Sequence, residues 1–284
     1  MSTTLSLSSD STPRNGASEN AMTVSQIVGE LCEMLGGKDI SVEVIQIDDY
    51  SFVGIINRNR VVKYCFEDDR REEENETLMT LKNSKVGGNY IAKYEPLMHK
   101  DKLYFSFPLL REISFNKVKF EDEILCLVQN LLEELRKIHL CEIIHGDIKE
   151  NNIMSDNGRA VFIDYGCSLH IRKESIDDTR SSVNGFVHCE MYRAPECWSE
   201  CDENVDKLKT YLDGRKCDYA CSNHVTVQSD VYALGKIFLK YFKNRVEEKH
   251  VKFFKKMCHI DIESRVKSSD MCREWNGLMP DYEV

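Results

Sequence analysis

The chain contains no run of about 18 apolar residues, so its sequence offers no membrane-spanning helix. It lacks a basic excess as well: 38 lysines and arginines stand against 48 aspartates and glutamates, for a formal net charge of −10. A nucleic-acid binder would show the opposite balance. The opening "MSTTLSLSSDSTPRNGASEN" has no basic segment followed by an apolar one, the pattern of a secretory leader. No internal repeat is present. These absences exclude membrane and nucleic-acid partners and place the expected site of action inside the cell, in cytoplasm or nucleus. In a reducing compartment the twelve cysteines are expected as free thiols, and the sequon Asn75-Glu76-Thr77 is read as chance. What is there is ordinary. With 42% hydrophobic and 30% charged residues, 284 residues make one large domain or two lobes with a core each.

Residues 1–22 are rich in Ser, Thr and Asn without apolar period and read as a disordered, solvated tail. Residues 23–35 have helix spacing. "SVEVIQI", "SFVGIIN" and "RVVKYCF" read as a small antiparallel meander, followed by the acidic helix "DDRREEENETLMTLK". "NYIAKYEPL" and "KLYFSFPLL" read as two further strands. From Glu121 the character changes. "EDEILCLVQNLLEELRKIH" predicts an amphipathic helix with Ile124, Leu127, Val128, Leu131, Leu132 and Leu135 on one face. "VQSDVYALGKIFLKYF" and "HVKFFKKMCHI" predict later helices, so a β-rich first part is joined near Pro108–Glu112 to a larger helical one.

The stretch "EIIHGDIKENNIMSDNGRAVFIDYGCS" sets Asp147 and Asp164 directly after apolar runs. A buried aspartate is costly unless paired, hydrogen-bonded or metal-bound, so two of them point to a working site. The pattern H-x-D-x-K-x-x-N followed by D-Y-G has a specific chemical reading. Phosphoryl transfer needs a carboxylate to orient and deprotonate the acceptor hydroxyl, here Asp147. It needs oxygen donors for Mg²⁺, here Asn152 and Asp164, and a cation near the phosphate, here Lys149.

At this point the sequence resembles the eukaryotic protein kinases, whose catalytic loop and magnesium motif are similar to "HGDIKENN" and "DYG". Other parts follow in order. "RVVKYCF" resembles the third-strand motif, which makes Lys63 the residue gripping the ATP α- and β-phosphates. Its ion-pair partner on the acidic helix is Glu74, with Leu78 and Leu81 at +4 and +7 and Glu73 as the alternative. "YRAPE" at 192–196 resembles the motif closing the activation segment, and "QSDVYALG" at 228–235 the helix whose Asp230 ties down the catalytic-loop backbone. "MCHIDIESR" resembles the final arginine motif, so that Arg265 should pair with Glu196. His145 is expected to be scaffold. Phe107 either lines an adenine pocket or is plain core. The resemblance implies an α+β, two-lobed kinase fold: N-lobe 40–110, C-lobe 111–275 and a short tail 276–284.

Departures qualify the likeness. In the phosphate-covering loop, "IDDYSFVGII" puts Asp48, Tyr50 and Val53 where the family has glycines, and only Ser51 and Phe52 fit. Side chains there obstruct the backbone's approach to phosphate. Gly146 stands where most kinases have an arginine that receives an activation-segment phosphate, so control through that contact is expected to be absent; Ser175, Thr179, Ser181 and Ser182 remain modifiable. The helical part carries a long insert between Glu196 and Asp230, and the helix usual after "SDVYALG" is shortened or lost. Within the 197–224 insert, Cys197, Cys201, Cys217, Cys221 and His224 form either a zinc site or ordinary packing, and the insert itself is a candidate partner-binding surface. "HGDIK" with "DYG" locally resembles vaccinia-related kinases, and the divergence has a viral look, which would make the compartment a host cell's. Lys149, two residues after Asp147, follows the serine/threonine-kinase pattern. The reading is a serine/threonine protein kinase using ATP and Mg²⁺ on protein substrates. The alternative is a pseudokinase that binds and regulates a cellular kinase or substrate. A small-molecule phosphotransferase fits less well, because the A-P-E and S-D-V-x-x-L-G pair is present.

Overall fold

The computed structural model describes residues 23–36, 40–47, 50–171, 190–198 and 225–279. The chain divides into two compact units, Met1–Leu110 and Arg111–Val284.

The first unit is built on five antiparallel strands, β1 (Val42–Ile47), β2 (Ser51–Ile56), β3 (Arg60–Cys65), β4 (Glu95–His99) and β5 (Lys102–Pro108), in the order β1-β2-β3-β5-β4. Strand alternation gives the sheet two faces, and a helix covers each. On one face lies α1 (Val24–Met34), opened by a capping box in which Thr23 and Gln26 exchange side-chain and backbone hydrogen bonds. Its Ile27 and Leu31 pack with Phe52, Ile56, Val62, Tyr64 and Tyr104. Lys102 and the Tyr104 hydroxyl both reach Glu30 and fasten the helix at its polar edge. On the other face lies α2 (Asp68–Asn83), with Asp68 and Asp69 at its N-terminus and Lys82 in its last turn, as the helix dipole favours. Buried Leu78 and Leu81 hold it down, and its Asn75 accepts the Tyr94 hydroxyl proton at 2.7 Å. The expected strand "NYIAKYEPL" is only half strand. Residues Gly88–Ala92 form a short helix, α3, and the strand starts at Glu95. The adjacent residues Tyr90 and Ile91 are both buried, which one face of a strand cannot do. Phe107 is core: Tyr90 stacks on it with centroids 4.8 Å apart and Tyr94 at 5.1 Å.

In the second unit the long helix is α4 (Glu121–Leu140), with three acidic residues in its first turn. It buries Ile124, Val128, Leu131, Leu132 and Leu135, as the periodicity predicts, together with Leu125 and Ile138; Leu127 stays half-buried. The helix packs on the strand Arg159–Phe162 and also on a later helix, so its apolar stripe is wider than one face. Short strands follow: β6 (Arg111–Glu112), β7 (Ile143–Ile144), β8 (Ile153–Asp156), β9 (Arg159–Phe162) and β10 (Leu169–His170). β6, β8 and β9 form one antiparallel sheet, and β7 pairs with β10. Helix α5 (Val227–Phe242) is capped by Thr226, whose hydroxyl accepts from Gln228 N–H at 3.1 Å. Helix α6 (Glu248–Met257) follows after residues 243–247, so the intervening helix of the family is absent. At Gly235 of α5 a Cβ would meet Met257 Cβ at 2.7 Å, so the two helices come this close only over glycine. A last helix, α7 (Met271–Asn276), buries Trp275, and no sequence signal announced it. Among the described residues no helix is long and apolar enough to cross a membrane.

Candidate functional site

The second unit holds the loop between β7 and β8. Its backbone is fastened from α5: Asp230 Oδ2 accepts the His145 N–H at 2.8 Å and Oδ1 the Gly146 N–H at 3.0 Å. The His145 ring is buried against Phe162 and Tyr165, with Nε2 3.1 Å from the Ile163 carbonyl, a scaffold position. Gly146 has φ +77°, and a Cβ there would fall 2.4 Å from the Cys167 carbonyl oxygen. Only glycine fits this backbone.

The buried Asp147 carboxylate follows. Its Oδ2 accepts from Lys149 Nζ at 2.7 Å and from Asn152 Nδ2 at 2.9 Å, and the same Nδ2 donates to the Asp147 carbonyl at 2.9 Å. Its Oδ1 is buried and has no hydrogen-bond partner among the described residues. A carboxylate oxygen left this way is costly and marks a place where a donor is wanted. The Ile163 N–H donates to the Asn152 carbonyl at 2.9 Å, which joins the loop to the segment carrying Asp164. Asp164 itself has φ +63°, an uncommon conformation for a residue with a Cβ. Tyr165 is buried, and burial pushes its phenol pKa up.

Further out, Glu196 and Arg265 meet as the motifs predict, and Ser229 Oγ donates to Glu196 Oε1 at 3.0 Å.

In the first unit, Lys63 Nζ and Glu74 Oε1 are 2.9 Å apart. Glu73, the alternative partner, is exposed. Cys65 adds a contact that the motifs do not announce: its thiol donates to the other oxygen, Glu74 Oε2, at 3.3 Å. Arg71 in turn donates to the Cys65 carbonyl at 2.8 Å. On β2, Val53 stands directly across from Lys63 in the strand register. Phe52, read as part of the phosphate-covering loop, is instead wholly buried under α1. Tyr50 is exposed, with the Arg70 guanidinium 5.0 Å above its ring. Asp48 lies outside the described residues.

The structure thus brings Lys63 to Glu74 in one unit, and Asp147, Lys149 and Asn152 together in the other, with Asp164 one residue from the Ile163–Asn152 bond. Ser175, Thr179, Ser181, Ser182, Cys201, Cys217, Cys221 and His224 lie outside the described residues, as does the insert from residue 199 to 224. Cys197 is buried, and burial pushes its thiol pKa up. The sequence reading missed Cys65, Glu150 and Lys240; Cys65 and Glu150 lie inside quoted motifs at positions to which those motifs give no part, and only the fold brings the three to their partners.

Residues 56–246, more than half of the chain, match the family model described as protein kinase domain. Misshapen-like kinase 1 of Rattus norvegicus is 31% identical over 128 residues, 45% of this chain and 8% of that protein. Dual specificity protein kinase zak2 of Dictyostelium discoideum is 30% identical over 162 residues, 51% of this chain and 22% of that protein. Mitogen-activated protein kinase 13 of Mus musculus is 30% identical over 90 residues, 30% of this chain and 22% of that protein. The chain thus matches under a quarter of the length of these curated relatives. With the matched family model, the ordered motifs and the α+β architecture in agreement, the chain belongs to the protein kinase domain family.

Proposed function

We propose that the chain is a serine/threonine protein kinase acting on protein hydroxyls with ATP as phosphoryl donor. The observation that carries this is the Asp147 carboxylate, one oxygen of which is held by Lys149 and Asn152 while the other is buried without a partner among the described residues. An acceptor hydroxyl supplies the missing donor. As its oxygen attacks the γ-phosphorus, the bond to the β–γ bridging oxygen breaks, ADP leaves, and the hydroxyl proton passes to Asp147 Oδ1. Lys149 offsets charge on the moving phosphoryl, and Lys63, held by Glu74, grips the α- and β-phosphates. Serine/threonine preference rests on Lys149 two residues after Asp147.

Magnesium fits the donor set. Asn152 uses its amide nitrogen on Asp147, which turns its carbonyl oxygen away from that carboxylate, and Asp164 adds a carboxylate. Two hard oxygen donors suit an ion that takes its remaining ligands from phosphate and water. When bound, Mg²⁺ neutralises charge on the transferring phosphate.

A second reading has a specific observation behind it. Val53 and Tyr50 stand where glycines would admit the phosphates, which favours a pseudokinase that binds a partner without catalysis. Transfer of γ-labelled phosphate from ATP to mixed protein substrates, followed by phosphoamino-acid analysis, separates the two. Label on serine and threonine that vanishes in Lys63→Met upholds the kinase. No label, together with no thermal shift on adding ATP and Mg²⁺, upholds the pseudokinase.

A further inference from the structure

The loop that carries Asp147, Lys149 and Asn152 also carries Glu150, to which the kinase motifs give no part. Its carboxylate is held from elsewhere in the same unit. Lys240 Nζ, on α5, lies 2.5 Å from Glu150 Oε1, and the neighbouring Tyr241 hydroxyl donates to the same oxygen at 2.8 Å. Lys240 Nζ also donates to the Tyr192 hydroxyl at 2.7 Å, and Tyr192 is itself hydrogen-bonded to Glu150. Tyr192 opens the "YRAPE" segment, so one ammonium group joins helix, loop and segment. The rings of Tyr192 and Tyr241 flank Lys240 Nζ, with centroids 5.4 and 5.1 Å away.

An exposed ion pair contributes about 0–1 kcal/mol and holds little in place. This pair is partly exposed, Lys240 at 39% and Glu150 at 23%, but it does not stand alone: Glu150 receives hydrogen bonds from Lys240, Tyr241 and Tyr192, and Lys240 also bonds the Tyr192 hydroxyl. Its place also matters. Asp230, which takes the His145 and Gly146 N–H groups, lies on the same helix as Lys240, ten residues earlier. At about 1.5 Å per residue the two anchors are about 15 Å apart along the axis. Asp147 lies in the loop between the residues they hold.

We infer that Lys240 is a positioning residue of the phosphotransfer site: through Glu150 and Tyr192 it clamps the loop of residues 147–152 to α5 and to the "YRAPE" segment, as Asp230 does at the loop's other end. The inference rests on the kinase reading of Asp147. It fixes where Asp147 sits and takes no part in binding ATP.

The test is steady-state transfer by wild type, Lys240→Met, Lys240→Arg, Glu150→Gln and the double variant. Hydrogen exchange is followed beside it at the Asn152 and Ile153 amides, which bond the Lys149 and Glu150 carbonyls. Misplacing a catalytic group by about 1 Å costs up to about 100-fold. Lys240→Met is therefore expected to lower kcat about tenfold or more with KM for ATP within about twofold, and Lys240→Arg to restore most of it. Since both residues act through one bond, the double variant should be no slower than the slower single one. Exchange at the two amides should rise about tenfold in Lys240→Met. Unchanged kcat, or losses that multiply in the double variant, would overturn the clamp. If wild type transfers no phosphate, the kinase reading fails by itself. The clamp is then judged by exchange alone: a rise confined to the loop supports it, and no rise overturns it. Should Lys240→Met not fold, Glu150→Gln and Tyr192→Phe alter the same bonds from the other side, and a rise spread over the whole unit in both overturns a local clamp.

Discussion

Glu196 and Arg265 are joined by two parallel hydrogen bonds, 2.6 Å from Nη1 to Oε1 and 2.8 Å from Nη2 to Oε2, with both side chains fully buried. Burying two charges is repaid only when the geometry is this complete. The pair holds the end of the "YRAPE" segment to the stretch between α6 and α7. Glu196→Ala leaves a guanidinium buried without its counter-charge and should destabilise the protein by about 3–5 kcal/mol in denaturant unfolding. A loss below about 1 kcal/mol would mean that the pair contributes little here.

Gly146 answers a question raised by the sequence, why the family's arginine is missing. With φ +77° and a Cβ position 2.4 Å from the Cys167 oxygen, the backbone excludes any side chain. The left-handed conformation alone costs a residue with a Cβ about 1–2 kcal/mol, and the collision adds to it. Gly146→Ala should therefore lose at least about 2 kcal/mol, and Gly146→Arg should lose more without gaining control by phosphorylation. Thermal unfolding of both variants checks this; a melting temperature unchanged from wild type would contradict it.

Glu150 gives a pH dependence with a definite sign. Its folded pKa, about 2, lies below the ordinary 4.5, because Lys240, Tyr192 and Tyr241 stabilise the carboxylate beyond the cost of burying it. A depressed acid contributes stability that is complete above its unfolded pKa and lost as pH falls through the folded one. The stability difference between wild type and Glu150→Gln should be flat above about pH 5 and shrink between about 4.5 and 2, by at most about 3 kcal/mol. Denaturant midpoints at stepped pH read it directly. A difference that grows on acidification would reverse the account.

What the sequence made legible follows from what fixes residue type. Asp147, Lys149 and Asn152 were readable as polar groups at fixed spacing after apolar runs, whereas Lys63 with Glu74 and Glu196 with Arg265 were readable through the resemblance to the kinase motifs, and each pair meets in the structure. The 227–242 helix was readable from the stretch "VQSDVYALGKIFLKYF", while its Thr226 cap is known only from the structure. The segment at Tyr90 and Ile91 was not, since β-branched and aromatic residues read as strand until the burial of both neighbours is known. Leu125 was missed because α4 packs on two sides, which one helical period cannot show. The placement of α1 across the sheet from α2 depends on which face each of Val62, Lys63, Tyr64 and Phe105 presents, a matter of register. Glu150 and Lys240 are 90 residues apart, and nothing local in either stretch names the other.

The central claim is that Asp147 acts on the proton of an acceptor hydroxyl. It is tested most directly by comparing γ-phosphoryl transfer from ATP by wild type and Asp147→Asn, with ATP affinity measured alongside. Asparagine keeps the shape but cannot take the proton, so general-base catalysis of about 100- to 10,000-fold should be lost while ATP binds within about twofold as before. Transfer by Asp147→Asn at the wild-type rate would contradict the assignment.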